Sequence, residues 1–224
     1  MSNPWVNGLD PAESAERASA YSRRFEALAA RGENVHGEAD LVAALLPNGG
    51  AILDAGCGTG RVAARLAEQG FRAVGVDLDP SMLGQARLRH PTLTWIESDL
   101  ADLDLELADR NFTDRNFTDR DLTEPFDAVV AAGNVMPLLT PGTESKVITV
   151  LAGLLSPGGL LIAGFGLDDA HLPPSAPASA RFRSLAEYDR ACSAAQLRLR
   201  ERWAGWDRAR FDGGGYAVSV HVRA

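Results

Sequence analysis

Lysine is all but missing from this chain: Lys146 is the single one in 224 residues, and arginine carries the rest of the positive charge. Acidic residues outnumber basic ones, 30 to 22, for a net charge of −8. Such a balance offers no basic footprint for a phosphate backbone, so nucleic acid is set aside as a partner. Cysteine is scarce as well. Cys57 and Cys192 stand far apart and neither sits in a C-x-x-C pair, which argues against a zinc site or a disulfide framework. No metal is expected. Long hydrophobic runs are also lacking. FDAVVAAGNVMPLL and LLSPGGLLIAGFGL are short and broken by Gly and Pro, which sets aside a membrane-spanning helix and a membrane partner. The opening MSNPWVNGLDPAESAE has no basic segment leading into an apolar one. The expectation is therefore a cytoplasmic chain without a secretory signal.

What the chain does have is a core and an order. Hydrophobic residues make up 46% of it. Residues 11–30 read as a helix, with Pro11 after the capping Asp10 and with Tyr21, Phe25 and Leu28 on one stripe. GEADLVAALL is a second helix. From AILDAG (51–56) onward, short apolar strands alternate with helical segments: 60–70, 73–79, 80–90, 93–100, 126–132, 141–155 and 160–167. That alternation predicts an α/β fold with a mostly parallel sheet and helices on both faces. After a helix at 184–196, the tail changes character. LRLRERWAGW and YAVSVHVRA are strands joined by the short link DRARFDGGG, too short for a parallel crossover. They are expected to pair antiparallel. The predicted fold is Rossmann-like, seven-stranded, with an antiparallel C-terminal hairpin strand.

The segment with the most chemistry is ILDAGCGTGR (52–61), a strand running into a glycine-rich turn and a helix. Gly56, Gly58 and Gly60 permit left-handed backbone and close approach of a ligand. The helix N-terminus beyond them favours a carboxylate or phosphate. Asp77, at the end of the next strand, can accept both hydroxyls of a ribose. Asp99 ends the third strand, beside Leu100. A nicotinamide-binding fingerprint, G-x-G-x-x-G, would need glycine at 61; this chain has Arg61.

With these residues the chain resembles the class I S-adenosylmethionine-dependent methyltransferases over roughly residues 35 to 224. LDAGCGTGR is similar to the family's glycine motif, VGVDLDPSML to its ribose motif, ESDL to its adenine motif, and LLSPGGLLI to the turn before its fifth strand. HGEAD and AGNVM resemble the small actinobacterial-type members. The resemblance implies S-adenosylmethionine as cofactor and methyl transfer to a small-molecule acceptor. It implies that Asp54 and Gly56 face the methionine part and that Asp77 binds the ribose. Asp99 would accept from the adenine amino group while Leu100 and Met82 pack its ring. Cys57, Gly58, Gly60 and Leu78 complete the implied cofactor wall, and Ala132 and Asn134 pass beside the sulfonium. Two other readings stay open: an NAD(P)-dependent oxidoreductase, and a protein that binds S-adenosylmethionine without catalysis.

No general base stands out. His36, Asn134 and His171 are the candidates for contact with the acceptor. After the fourth strand, AAGNVMPLL carries neither an N-P-P-Y motif nor the Asp of metal-dependent members, against a DNA amine and against Mg²⁺. Residues 1–46 are expected to form a helical lid over a methyltransferase domain at 47–224. Within that domain, 104–124 is an insert carrying the pentads DRNFT, DRNFT and DRDLT. It lies late in the crossing between the third and fourth strands, away from the ligand side of the sheet. Oligomeric state and acceptor are not legible.

Overall fold

The computed structural model describes residues 10–103, 124–172 and 184–224. The insert at 104–124 with its pentad repeat, apart from its final Glu124, lies outside the described residues. The chain opens with α1 (Pro11–Ala30) and α2 (Gly37–Leu45). Asp10 caps α1: Glu13 N–H donates to its carboxylate at 2.8 Å and the Glu13 side chain answers on the Asp10 N–H. Then follow β1 (Ala51–Ala55), α3 (Arg61–Glu68), β2 (Arg72–Asp77), α4 (Pro80–Arg89) and β3 (Thr94–Glu97). Past the insert come β4 (Phe126–Ala131), the short α5 (Val135–Leu138), α6 (Glu144–Gly153) and β5 (Leu155–Gly166). A single 3-10 turn (Asp169–His171), α7 (Leu185–Ala194), β6 (Leu197–Trp203) and β7 (Tyr216–Arg223) complete it.

The seven strands form one sheet in the order β3-β2-β1-β4-β5-β7-β6. β1, β2, β3, β4 and β5 pair in parallel. β7 runs antiparallel to both β5 and β6, so the hairpin expected from the short link is present. Every residue of β1 is buried, as a central parallel strand requires. Alternate residues feed two cores. Leu53, Val74, Val129 and Leu161 pack with Ile148, Leu151 and Tyr188 of α6 and α7. Ile52, Ala73, Ala128 and Leu160 pack with Val42, Leu66 and Leu83 of α2, α3 and α4.

One strand begins earlier than its composition suggests. Ser156–Gly159 does not stop the chain before β5 but bulges within it, between the pairs Phe126↔Leu155 and Ala128↔Leu160. Gly158 sits at φ +79° there. Among the described residues no helix is long and apolar enough to cross a membrane.

In this order the chain leaves β1 toward β2 and β3 on one side and toward β4 and β5 on the other. The crevice beyond the carboxyl ends of β1 and β4 is where an open α/β sheet binds its ligand. α1 is fastened beside that crevice. Arg17 pairs with Asp79 at 2.6 Å, and Asp79 in turn caps α4 by accepting the Ser81 N–H at 2.9 Å. Asp79 is only 1% exposed, so this pair is a buried link between α1 and the turn after β2.

Candidate functional site

The turn after β1 is built by three left-handed glycines: Gly56 at φ +73°, Gly58 at +55° and Gly60 at +82°. Their roles differ. A Cβ on Gly56 would lie 2.5 Å from Val135 Cγ2, so Gly56 lets α5 approach. A Cβ on Gly60 would run into the Trp95 ring. A Cβ on Gly58 would meet nothing within 4 Å; it would project into open space. The Gly56 and Cys57 amides both donate to the Val76 carbonyl, at 2.8 and 2.9 Å, tying the turn to β2.

Asp77 completes the frame. Its Oδ2 accepts the Gly58 N–H at 2.7 Å and its Oδ1 accepts the Asp79 N–H at 2.9 Å. Burial pushes its carboxyl up to about 6, against the lowering effect of those two amides. At the end of β3, Ser98 N–H donates to the Asp77 carbonyl at 3.1 Å. Asp99 Oδ1 accepts from Ala101 N–H at 2.9 Å, which turns the chain away from the sheet.

These elements enclose one cavity of about 560 Å³, within the range of small-molecule and cofactor sites. Of the residues singled out in the sequence, Gly56, Cys57, Gly58, Asp77, Leu78 and Met82 line it. So do Asp99, Leu100, Ala132, Asn134 and His171. Other residues reach it as well. Tyr21, Arg24 and Phe25 of α1 form one wall, and Leu138 and Leu139 another. The signal for α1 was present in the helical spacing of Tyr21 and Phe25, whose rings meet at 5.0 Å.

Three expected residues stand off this cavity. Asp54 borders only a void of about 20 Å³ behind the turn, with Tyr21, Gly56 and Cys57. Its Oδ2 caps α3 by accepting the Ala63 N–H at 3.0 Å. Burial pushes its carboxyl up to about 7, opposed by that amide. Gly60 faces Trp95. His36 lines a separate pocket of about 220 Å³ between α1 and α3. Cys57 is buried, and burial raises its thiol well above the ordinary range, so nothing favours a thiolate.

Asn134, which lines the cavity, also braces the backbone around it. It is left-handed, at φ 71°. Its Oδ1 accepts the Gly166 N–H at 2.7 Å and its Nδ2 donates to the His171 carbonyl at 3.0 Å. The amide is a strut between the end of β5 and the 3-10 turn. His171 Nδ1 lies 2.6 Å from Asp168 Oδ1. Among the described residues no group of three or more His, Cys, Asp or Glu is placed to hold a metal ion.

A family model described as a methyltransferase domain matches residues 52–159. The uncharacterised methyltransferase Rv0089 of Mycobacterium tuberculosis is 32% identical over 131 residues, 57% of this chain and 56% of that one. The uncharacterised methyltransferase sll0829 of Synechocystis is 29% identical over 122 residues, covering 54% of this chain and 48% of that one. The matches to curated relatives span from 19% to 56% of those relatives' own lengths. A solved TehB-like SAM-dependent methyltransferase from Corynebacterium glutamicum is similar over 96% of this chain and 100% of its own. Its identity is 27% and its TM-score 0.73.

Proposed function

We propose that this chain, a member of the class I S-adenosylmethionine-dependent methyltransferase family, transfers a methyl group to a small-molecule acceptor bound in the 560 Å³ cavity. The observation that carries this reading is Asp77. It is a half-buried carboxylate at the cavity wall, held by the backbone amides of Gly58 in the glycine turn and of Asp79. An ionised carboxylate has about four lone-pair sites. Gly58 and Asp79 use two, which leaves capacity for the two hydroxyls of a ribose. The donor fits the rest of the wall. The open space over Gly58 is a cradle that a side chain would fill.

Bound there, S-adenosylmethionine supplies a methyl group made electrophilic by its sulfonium sulfur. The chain's own part is binding and placement. Asp99 accepts from the adenine amino group, and Leu78, Met82 and Leu100 pack against the ring. Ala132 and Asn134 border the reacting end. Phe25, Leu138 and Leu139 add apolar surface to the cavity wall. Holding donor and acceptor in contact can supply effective molarities on the order of 10⁵ M or more. The N-terminal helices serve as the lid, since α1 contributes Tyr21, Arg24 and Phe25 to the wall. An NAD(P) reading is less well supported, because Arg61 stands where that fingerprint needs glycine and is committed to Glu38.

Asp77→Ala is expected to weaken S-adenosylmethionine binding by about 1.5–3 kcal/mol, roughly 10- to 100-fold. Ribose hydroxyls bond best to the ionised carboxylate. With the Asp77 carboxyl held up at about 6 by burial, wild-type affinity falls as pH drops through that value, by about tenfold per unit well below it. The Asp77→Ala variant lacks this dependence. Calorimetry at several pH values checks both; equal affinity of the two proteins at neutral pH removes Asp77 from the ribose.

A further inference from the structure

We infer that His171, oriented by Asp168, is the general base that takes a proton from the methyl acceptor, and that the acceptor is one that arrives protonated, a hydroxyl or an amine. This rests on the methyl-transfer reading above. The turn that carries the pair follows β5 directly and lines the same cavity as Gly56, Gly58 and Asp77. Asp168 Oδ1 lies 2.6 Å from His171 Nδ1. With Nδ1 donating to that carboxylate, the lone pair left for an acceptor is on Nε2.

An ordinary surface ion pair is a poor account of this arrangement. Both side chains are about half exposed, 51% and 43%, and such pairs contribute little to stability. Yet the surrounding backbone is shaped to admit them. A Cβ on Gly215 would lie 2.5 Å from His171 Nδ1 and would strike Asp168 as well. A Cβ on Gly166 would lie 2.8 Å from His171 Cβ. Leu167 N–H donates to the Gly215 carbonyl at 2.7 Å, so the end of β5 is stitched to the Gly-rich link. Asn134 then ties Gly166 to the His171 carbonyl. Two glycines and a side-chain strut fix one imidazole at a cavity wall. The neighbouring titratable ring is Tyr216 of β7, whose centre is 6.4 Å away. Burial pushes the Tyr216 phenol up to about 12, so it stays protonated and His171 is the neighbour with a lone pair to take a proton.

The step balances without any further reagent. The acceptor's O–H or N–H proton passes to His171 Nε2. The electron pair on the acceptor O or N forms the bond to the methyl carbon. The carbon–sulfur bond breaks, and its pair stays on sulfur as a neutral thioether. A general base of this kind contributes on the order of 10²–10⁴-fold.

The test uses the full chain with three readouts. Calorimetry with S-adenosylhomocysteine comes first. Binding by wild type, His171→Ala and Asp168→Asn alike is expected, and failure of wild type to bind defeats the methyl-transfer reading rather than this one. Second, imidazole ¹⁵N spectra of the complex should show His171 protonated at Nδ1 and bare at Nε2 in mildly alkaline buffer, with Asp168→Asn losing that preference. This readout needs no acceptor, and an Nε2–H tautomer in wild type overturns the proposal. Third, phenol and 4-nitrophenol serve as paired acceptor probes. Where they are turned over, His171→Ala should lose on the order of 10²–10⁴-fold with phenol and far less with 4-nitrophenolate, which arrives already ionised. Asp168→Asn should displace the pH profile of the phenol reaction. Equal losses with both probes, or an unmoved pH profile, would make the pair structural.

Discussion

Gly58→Val is expected to leave a folded protein that no longer binds S-adenosylmethionine. The two halves of that outcome come from separate observations. A Cβ at position 58 meets no protein atom within 4 Å, so the substitution does not collide with the core. The backbone there is left-handed, at φ +55°, and a β-branched residue in that region costs about 1–3 kcal/mol. The Gly58 N–H bond to Asp77 at 2.7 Å and the ties of Gly56 and Cys57 to Val76 oppose relaxation. The added atoms therefore stay where they project, into the volume lined by Asp77, Met82 and Asp99. A thermal-shift series with S-adenosylhomocysteine reads the result. Wild type at about 100 times Kd gains about 2.7 kcal/mol, whereas the variant gains none, from a starting melting point only a few degrees lower. Gly60→Val is the contrasting control. Its side chain would run into Trp95, which is 3% exposed, so it should fail to fold rather than fail to bind. A Gly58→Val protein that still binds would move the ligand off the glycine turn.

The contrast between those two glycines shows how far the sequence could be read. G-x-G-x-G spacing marks a strand–turn–helix, and the strand, the turn and the α/β order were all legible because each depends on local pattern. Which glycine serves the ligand depends on what packs against it. Gly60 and Gly75 both give way to the Trp95 ring, and no periodicity within β1 or β2 announces a tryptophan arriving from β3. Asp54 and Asp77 look alike in sequence, each an acid ending a buried strand. One caps α3 through Ala63 and the other faces the cavity. Their difference lies in the helix that follows β1, whose first turn sits over Asp54. Tyr21 and Phe25 read as packing because a helical stripe does not say which partner it meets. His171 was legible as a ligand-side candidate after the fifth strand, but its pairing with Asp168 was not, since that geometry depends on Gly215, far along the chain and brought near only by the antiparallel β7.

Arg61→Ala should destabilise the protein by about 3–5 kcal/mol, the usual cost of removing one partner from a buried ion pair. In the sequence this residue only excluded a dinucleotide fingerprint. In the fold it gathers the N-terminal elements onto α3. Its guanidinium donates to Glu38 of α2 through Nη1 at 2.8 Å and through Nη2 at 2.5 Å. Nη1 also bonds the Val35 carbonyl. The guanidinium lies over the Phe25 ring of α1, 4.3 Å from its centre. Arg61 and Glu38 are only 16% and 15% exposed, so water replaces neither partner readily. Truncating Arg61 leaves a largely buried carboxylate on α2 and an unmatched carbonyl at Val35, and it frees Phe25 to leave the cavity wall. For a domain of this size the melting temperature should fall by roughly 10 °C. Glu38→Ala should cost a comparable amount, because it strands the arginine instead. The double variant should be little worse than either single one, since the second change removes a charge already without its partner. Thermal unfolding of the four proteins measures this directly. Losses that simply add would mean that Arg61 and Glu38 act separately and that the N-terminal helices are held on by something else. S-adenosylhomocysteine binding supplies the functional half. Phe25 borders the cavity but Asp77 and Gly58 do not depend on Arg61, so Arg61→Ala should retain binding in the cold while losing the wall that α1 provides for the acceptor.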